Sequence, residues 1–588
     1  MAETGEDLRD PETADVPALP ALEDVQHWTG VIGQAQQMLM EHMAETMANA
    51  PGEARLPSLA APPYPDPDKL ADQQSELIKA SLGLFGQLIE GEPGKEAARD
   101  RRFKAAQWRE TPIFAVLADA YLLMCDAWLK GVDAIEGIEP RQREQLKFAV
   151  RSMADAMSPS NFPLTNPIVL ERIFETRGEN LLRGLEHMLA DIGRGQLTHS
   201  DPDAFELGRN VAATPGKVIH ETPLYQLIHY APTTDRVLEV PLLIFPPWIN
   251  RFYILDLNPK NSFIRWAVEQ GFSVFIVSWK SADESIADVT MDDYVVRGQI
   301  DAIDTVRELL GVDHVHTIGY CVAGTALAMA LAYLAAKGEA AKVRSATFFT
   351  AQVDFSEAGD LNLFVDDEQL KLIETLTQGS GLLDGRYMAA TFNLLRGRDL
   401  IWHYVVQNYL LGEDYPAFDL LYWNGDTTNL PAKWHRAYLE QLYRDNRLVQ
   451  PGALSIDGVP IDLRRIETPA YVQAGREDHI APCRSVWKIT EHLAGPVRFV
   501  LAGSGHIAGV VNPPSAGKYQ YWTNDGAVDS VEAFQATACE TSGSWWPDWS
   551  AWVKALVPAE LPVEGARIPG EGALKAIEDA PGRYVRTR

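Results

Sequence analysis

The chain has 588 residues, of which 46% are hydrophobic and 23% charged, the make-up of a soluble globular protein with room for more than one domain. Its 52 Lys and Arg face 81 Asp and Glu, giving a formal net charge of -29. That excess speaks against nucleic acid as a partner, because such binding neutralises phosphates with Lys and Arg.

The four cysteines, Cys125, Cys321, Cys483 and Cys539, lie far apart with no CxxC pair. Neither a disulfide framework nor a metal site is expected, and a reducing compartment fits. The opening MAETGEDLRDPETADVPALP has no basic start and no apolar core, so it does not read as a secretory signal.

Residues 1–72 contain two Pro-rich acidic stretches around VIGQAQQMLMEHMAETM. This segment is expected to be largely disordered, with one amphipathic helix. Residues 73–200 read as a helical region. Leu77, Ile78, Leu82, Phe85, Leu88 and Ile89 recur at helical spacing, and a second run extends from Pro112 to Gly131. Pro112 suits the first turn of that helix.

From about residue 201 the pattern changes. VPLLIFPPW, FSVFIVSW, HVHTIGY, ATFFTAQ, PAYVQAG and VRFVLAG are short runs rich in β-branched and aromatic residues, with helical stretches between several of them. They predict the buried strands of a mainly parallel sheet with helices on both faces, an α/β fold. The longest apolar stretch, taken as Val322–Ala336, is shorter than the ~20 residues of a membrane span and reads as a buried helix. Residues 354–449, rich in Leu, Tyr, Trp and Asn, break the alternation and read as a cap inserted between core segments 201–353 and 450–588.

The chemistry concentrates in HVHTIGYCVAGTALAMALAYLAAKG. A strand runs through Gly319 and Tyr320 to Cys321, then Val322, Ala323 and Gly324 open a long helix. This is a nucleophile elbow, in which a reactive residue on a sharp strand-to-helix turn needs small neighbours. The helix start favours thiolate at Cys321, and the Val322 amide would face a developing oxyanion.

Acid and base should follow in that order after later strands. PAYVQAG leads into Asp478, with Glu477 as an alternative acid. VRFVLAG leads into His506, with His479 as an alternative base. His229 and His316 read as structural. A second oxyanion donor is expected from the loop Pro246-Pro247-Trp248-Ile249-Asn250, where only the amides of Trp248 and Ile249 precede Asn250, because proline has no N–H.

The motifs GYCVAGT, PPWINRFYILDLNP, DGVPIDL, GREDHIAP, GSGHIAGVVNPP, YWTND and SWWPDW resemble those of the class I polyhydroxyalkanoate synthases, enzymes of the α/β-hydrolase type. MSPSNFPLTNP and GRNVAATPGKV are similar too, so the likeness runs from about Asp100 to APGRYV near the C-terminus. One departure is Ala323, where the family has Gly.

The resemblance implies an acyltransferase that polymerises (R)-3-hydroxyacyl-CoA, of the short-chain type, into polyester with release of CoA. It implies Cys321 as nucleophile, Asp478 as acid and His506 as base. It further implies no cofactor, a homodimer, granule-associated protein partners, and a cytoplasmic place at polyester granules. A thioesterase or polyester depolymerase would carry the same triad, and a non-catalytic granule scaffold is the alternative of another class.

Overall fold

The computed structural model describes Lys79 and residues 97–588 apart from Ala527. The expected N-terminal disorder, its amphipathic helix and the Leu77–Ile89 stripe lie outside the described residues. The chain divides into two compact units. One comprises the described residues up to Ile138 with Val150–Arg194 and Trp402–Asp414. The other comprises Glu139–Ala149, Gly195–Ile401 and Tyr415–Arg588.

The first unit is built from helices α1 (Pro112–Asp133), α2 (Pro167–Thr176) and α3 (Glu179–Arg194). Proline opens α1 and α2, where its missing N–H costs nothing. Asn166 caps α2 by accepting from the amides of Ile168 and Val169 at 3.0 and 3.4 Å. α1 packs through Ala118 and Tyr121 against Phe103 and Trp108. Its buried Asp119 accepts from the Ala97 amide at 2.8 Å. This helix corrects the reading of residues 322–336 as the longest apolar stretch. At 22 residues α1 is long and apolar enough, by length and composition, to cross a membrane. Asp119, Asp126 and Lys130 hid that length by interrupting the run.

The second unit holds an 11-stranded sheet. Its strands are β1 (Gly216–Glu221), β2 (Tyr225–Tyr230), β3 (Leu242–Phe245), β4 (Val274–Trp279), β5 (Val315–Tyr320), β6 (Val343–Phe349), β7 (Ala470–Gly475), β8 (Val497–Ala502), β9 (Gln520–Thr523), β10 (Cys539–Ser542) and β11 (Glu578–Asp579). The spatial order is β10-β9-β8-β7-β6-β5-β3-β4-β2-β1-β11. The run from β8 to β4 is parallel and the flanking pairs are antiparallel. The six runs read as strands are the parallel ones. β3, β4, β5 and β7 are buried along their whole length, because helices cover both faces.

Helix α4 (Asp301–Leu310) precedes β5, and α5 (Val322–Lys337) follows it. α5 is buried from Val322 to Leu334, as a helix apolar on every side must be. Between β6 and β7 the chain makes a long excursion of short helices, including α6 (Ala432–Tyr438). Its neck is tied by Asn446, which donates to Asp354 Oδ1 at 2.9 Å and accepts from the Phe355 amide at 2.9 Å.

On the other side of the sheet, helix α7 (Trp546–Leu556) and the preceding Trp545 bring three buried indoles together. Trp545 donates to Gly509 O at 2.8 Å, Trp546 to Val510 O at 2.9 Å and Trp549 to Thr347 Oγ1 at 3.0 Å. Trp546 also lies 5.1 Å from Phe263 and 5.3 Å from Trp266, ring to ring. Removing this side chain leaves a large cavity and takes one of two donors from Val510 O, which still accepts from the Asn512 amide at 3.1 Å. Trp546→Ala should therefore cost about 3–5 kcal/mol of stability, read as a lowered denaturation midpoint of the intact chain. A midpoint equal to wild type would show that the indole layer carries no such weight.

Candidate active site

Three strand ends meet at the carboxyl edge of the parallel sheet, where folds of this kind bind ligands. β5 ends at Tyr320 and delivers Cys321. β7 ends at Gly475 and leads to Asp478. β8 ends at Ala502 and leads to His506. The register pairs Gly475 with Ala502, so the last two loops leave the sheet at one level.

Cys321 has φ 53° and ψ -126°, a conformation that L-residues avoid. Two glycines permit it. A Cβ on Gly319 would lie 2.6 Å from the Gly324 Cα, and one on Gly324 would lie 2.5 Å from the Ala351 Cβ. Strand and helix thus approach too closely for any side chain at either position. The Cys321 amide donates to Phe349 O at 2.9 Å, pinning the turn to β6. Gln299 holds the first turn of α5 through Ala323 O at 2.8 Å. Val322 is the first residue of α5, so its amide has no acceptor within the helix.

His506 Nδ1 lies 2.7 Å from Asp478 Oδ2. The other carboxylate oxygen accepts from the amides of Ile480 and Ala481, both at 2.8 Å. Nδ1–H therefore faces the carboxylate, leaving Nε2 for a reacting partner. Burial alone would lower the His506 pKa. The charges of Asp478 and Cys321, with side-chain hydrogen bonds to both, override it and push the value up to about 10. Tyr320, the residue before Cys321, donates from its hydroxyl to His506 O at 3.0 Å, tying the two loops together.

The alternatives fall elsewhere. Glu477 is exposed. His479 is half-buried, and burial lowers its pKa, with Arg396 adding to the effect. His229 is stacked on Phe275 with a 4.1 Å ring separation, and His316 lies 2.7 Å from Ser345 Oγ. Burial brings the pKa of both down to about 3.

The loop 246–250 continues β3, whose Phe245 pairs with Gly319. It therefore leaves the sheet beside the elbow. Among the described residues, the amides of Trp248 and Ile249 donate no hydrogen bond. Trp248 is buried, stacked on Tyr294 at 4.0 Å and 4°, with Trp434 of α6 edge-on at 5.3 Å.

Sequence reasoning missed the roles of Tyr320 and the phenols Tyr438 and Tyr443. Burial first, and the nearby Cys321 among further causes, raises the pKa of both phenols. A hydroxyl facing a carbonyl distant in sequence leaves no periodic signal. Among the described residues, no group of three or more His, Cys, Asp and Glu could hold a metal ion.

Two family models match the chain: "Poly-beta-hydroxybutyrate polymerase (PhaC) N-terminus" over residues 99–267 and "alpha/beta hydrolase fold" over residues 240–513. Among curated proteins, the poly(3-hydroxyalkanoate) polymerase subunit PhaC of Cupriavidus necator is 43% identical over 89% of this chain and 89% of its own length. That of Rhizobium meliloti is 43% identical over 89% of this chain and 86% of its own. The poly(3-hydroxyalkanoate) polymerase of Methylorubrum extorquens is 44% identical over 89% and 88%.

Two outcomes follow from the geometry. Gly324→Ala overpacks the elbow. It should cost about 1–3 kcal/mol of stability and slow alkylation of Cys321, and wild-type values for both would contradict the close approach. The second concerns pH. His506 has a raised pKa in the folded chain, so its contribution is complete below the ordinary value of 6.5 and is lost as pH rises toward about 10. Asp478→Asn removes the leading raising influence. The stability of wild type relative to this variant should then fall between those two pH values, by at most about 1.4 kcal/mol per pH unit. Denaturation midpoints across pH test this, and a constant difference would refute it.

Proposed function

Because this chain belongs to the poly(3-hydroxyalkanoate) polymerase family and is an acyltransferase that builds polyester, we propose that it works through a thioester on Cys321, with (R)-3-hydroxyacyl-CoA as acyl donor. The observation that carries this reading is the strained elbow at Cys321 with the Asp478–His506 pair beside it.

In acylation, Sγ of Cys321 bonds to the thioester carbon while His506 Nε2 holds the proton that the thiol has given up. The amide of Val322 and those of Trp248 and Ile249 receive the oxyanion. The bond to the CoA sulfur then breaks, and CoA leaves with the proton from His506. One thioester replaces another, so the acyl group stays activated; a serine would give a less reactive oxoester. In elongation, the 3-hydroxyl of the next monomer gives its proton to His506, and its oxygen attacks the acyl-Cys321 carbonyl. A new ester forms, Cys321 recovers the proton, and the lengthened chain, now a CoA thioester, reacylates the sulfur with loss of CoA. Asp478 orients the imidazole and stabilises its charged form.

Residues 354–449 act as a lid, because water reaching the acyl-enzyme would end the chain. The buried phenols of Tyr438 and Tyr443 lie near enough to feel the charge of Cys321, and bulky rings close to the sulfur support a short-chain monomer. A CoA substrate supports a cytoplasmic enzyme, and an insoluble product held through Cys321 supports a place at the polymer granule. A homodimer and granule-protein partners belong to the same reading. No resident cofactor is required.

Purified chain given 3-hydroxybutyryl-CoA should release CoA and precipitate polymer, and Cys321→Ala should lose at least about 10³-fold in rate. Polymer made by C321A would overturn the thioester. Free 3-hydroxybutyrate in place of polymer would make the chain a hydrolase.

A further inference from the structure

One stretch of the excursion between β6 and β7 runs along the loop that leaves β3. Trp423 Nε1 donates to Arg251 O at 2.7 Å, and Arg251 Nε lies 3.2 Å from Asp426 Oδ1. Tyr253 donates from its hydroxyl to Asp426 Oδ2 at 2.7 Å. Asn250 and Thr427 form an antiparallel bridge. The contact closest to the chemistry is Thr428, whose Oγ1 lies 2.6 Å from Trp248 O and 2.7 Å from Ile249 O. A hydroxyl has one proton, so the two carbonyls share it. Thr428 is 3% exposed, so the contact is buried.

We propose that Thr428 is the positioning residue for the second oxyanion donor, holding the Ile249 amide in its working orientation from within the lid. This rests on the reading of Cys321 as the acylated nucleophile. In a planar trans peptide, C=O and N–H point in opposite directions. Fixing Trp248 O toward Thr428 therefore turns the Ile249 N–H to the far side of the loop. That amide has no acceptor among the described residues. Pro246 and Pro247 offer no N–H, and Pro246 O is itself anchored by Trp279 Nε1 at 2.8 Å. The indole of Trp248 is locked between Tyr294, Trp279 and Trp434. The loop is thus stiff everywhere except at the peptide plane that Thr428 sets. An oxyanion donor works only when already aimed where charge develops, so the hydroxyl of Thr428 should be felt in the acyl-transfer step and little in substrate binding.

The test compares wild type, Thr428→Val and Thr428→Ser in steady-state release of CoA from 3-hydroxybutyryl-CoA. Cys321 alkylation by iodoacetamide runs in parallel, since it needs the thiol and its base but forms no oxyanion. Valine keeps the shape and removes the hydroxyl; serine restores it. T428V should lower kcat by about 10- to 100-fold at unchanged KM and unchanged alkylation rate, and T428S should recover most of the loss. If the valine protein does not fold, Thr428→Ala takes its place in the same comparison. Wild-type kcat in T428V, an equal fall in alkylation, or a serine variant as impaired as valine would each overturn the assignment. Polymer formation by C321A would instead overturn the nucleophile reading, so the two failures are separable.

Discussion

Cys321 occupies a backbone conformation that costs an L-residue on the order of 1–3 kcal/mol, and the surrounding packing holds it there. The compensation comes from contact between β5 and α5, made through two glycines whose missing side chains let the backbones approach. With the turn fixed, every other part of the site has a place to converge on. β3 lies beside β5 and sends the loop 246–250 past the elbow. β6 lies on the other side and bonds the Cys321 amide through Phe349. A looser elbow would leave Asp478 and His506 well formed but without a sulfur to serve.

His506, the proposed base, is held by an opposition of forces. Its site is buried, which disfavours an imidazolium, yet Asp478 sits 2.7 Å away with its other oxygen satisfied by two amides. The charge wins, so His506 has a high affinity for protons where water is scarce. On the proposed reading, such a group keeps the thiol's proton while the sulfur is free and takes one from a hydroxyl once acylation has removed the sulfur's charge. Its backbone is anchored from below by Tyr320, and the loop beyond it by Trp545 and Trp546. The tryptophan layer steadies the loop that carries His506.

The parallel strands were legible because burial on both faces leaves continuous β-branched and aromatic runs. The flanking antiparallel strands were not. β10 is Cys539–Ser542, exposed throughout, and β2 buries Gln226 and His229 among its apolar residues. Neither pattern announces a strand. The order of Cys321, Asp478 and His506 was legible because each follows a recognisable strand, and the two prolines marked the loop with Trp248 and Ile249. Tyr320 and Thr428 were not, since their bonds go to backbone carbonyls 186 and 180 residues away. The length of α1 was obscured by the charges of Asp119, Asp126 and Lys130 within it.

A hydrolase and a polymerase built on this sheet share the elbow and the base, and differ in which nucleophile reaches the acyl-enzyme. The excursion between β6 and β7 is tied at its neck by Asp354 and Asn446 and along the β3 loop by Asp426, Thr427 and Thr428. On the proposed reading, the element that excludes water also aims one of the amides that activate the acyl carbonyl. A displacement large enough to admit water would pull on Trp248 O and rotate the Ile249 peptide. Exposure to water and loss of electrophilic activation would then coincide, and the thioester would be least reactive when hydrolysis had access to it. An acyl-enzyme that must survive many rounds of elongation is protected by that coupling without a separate barrier to water.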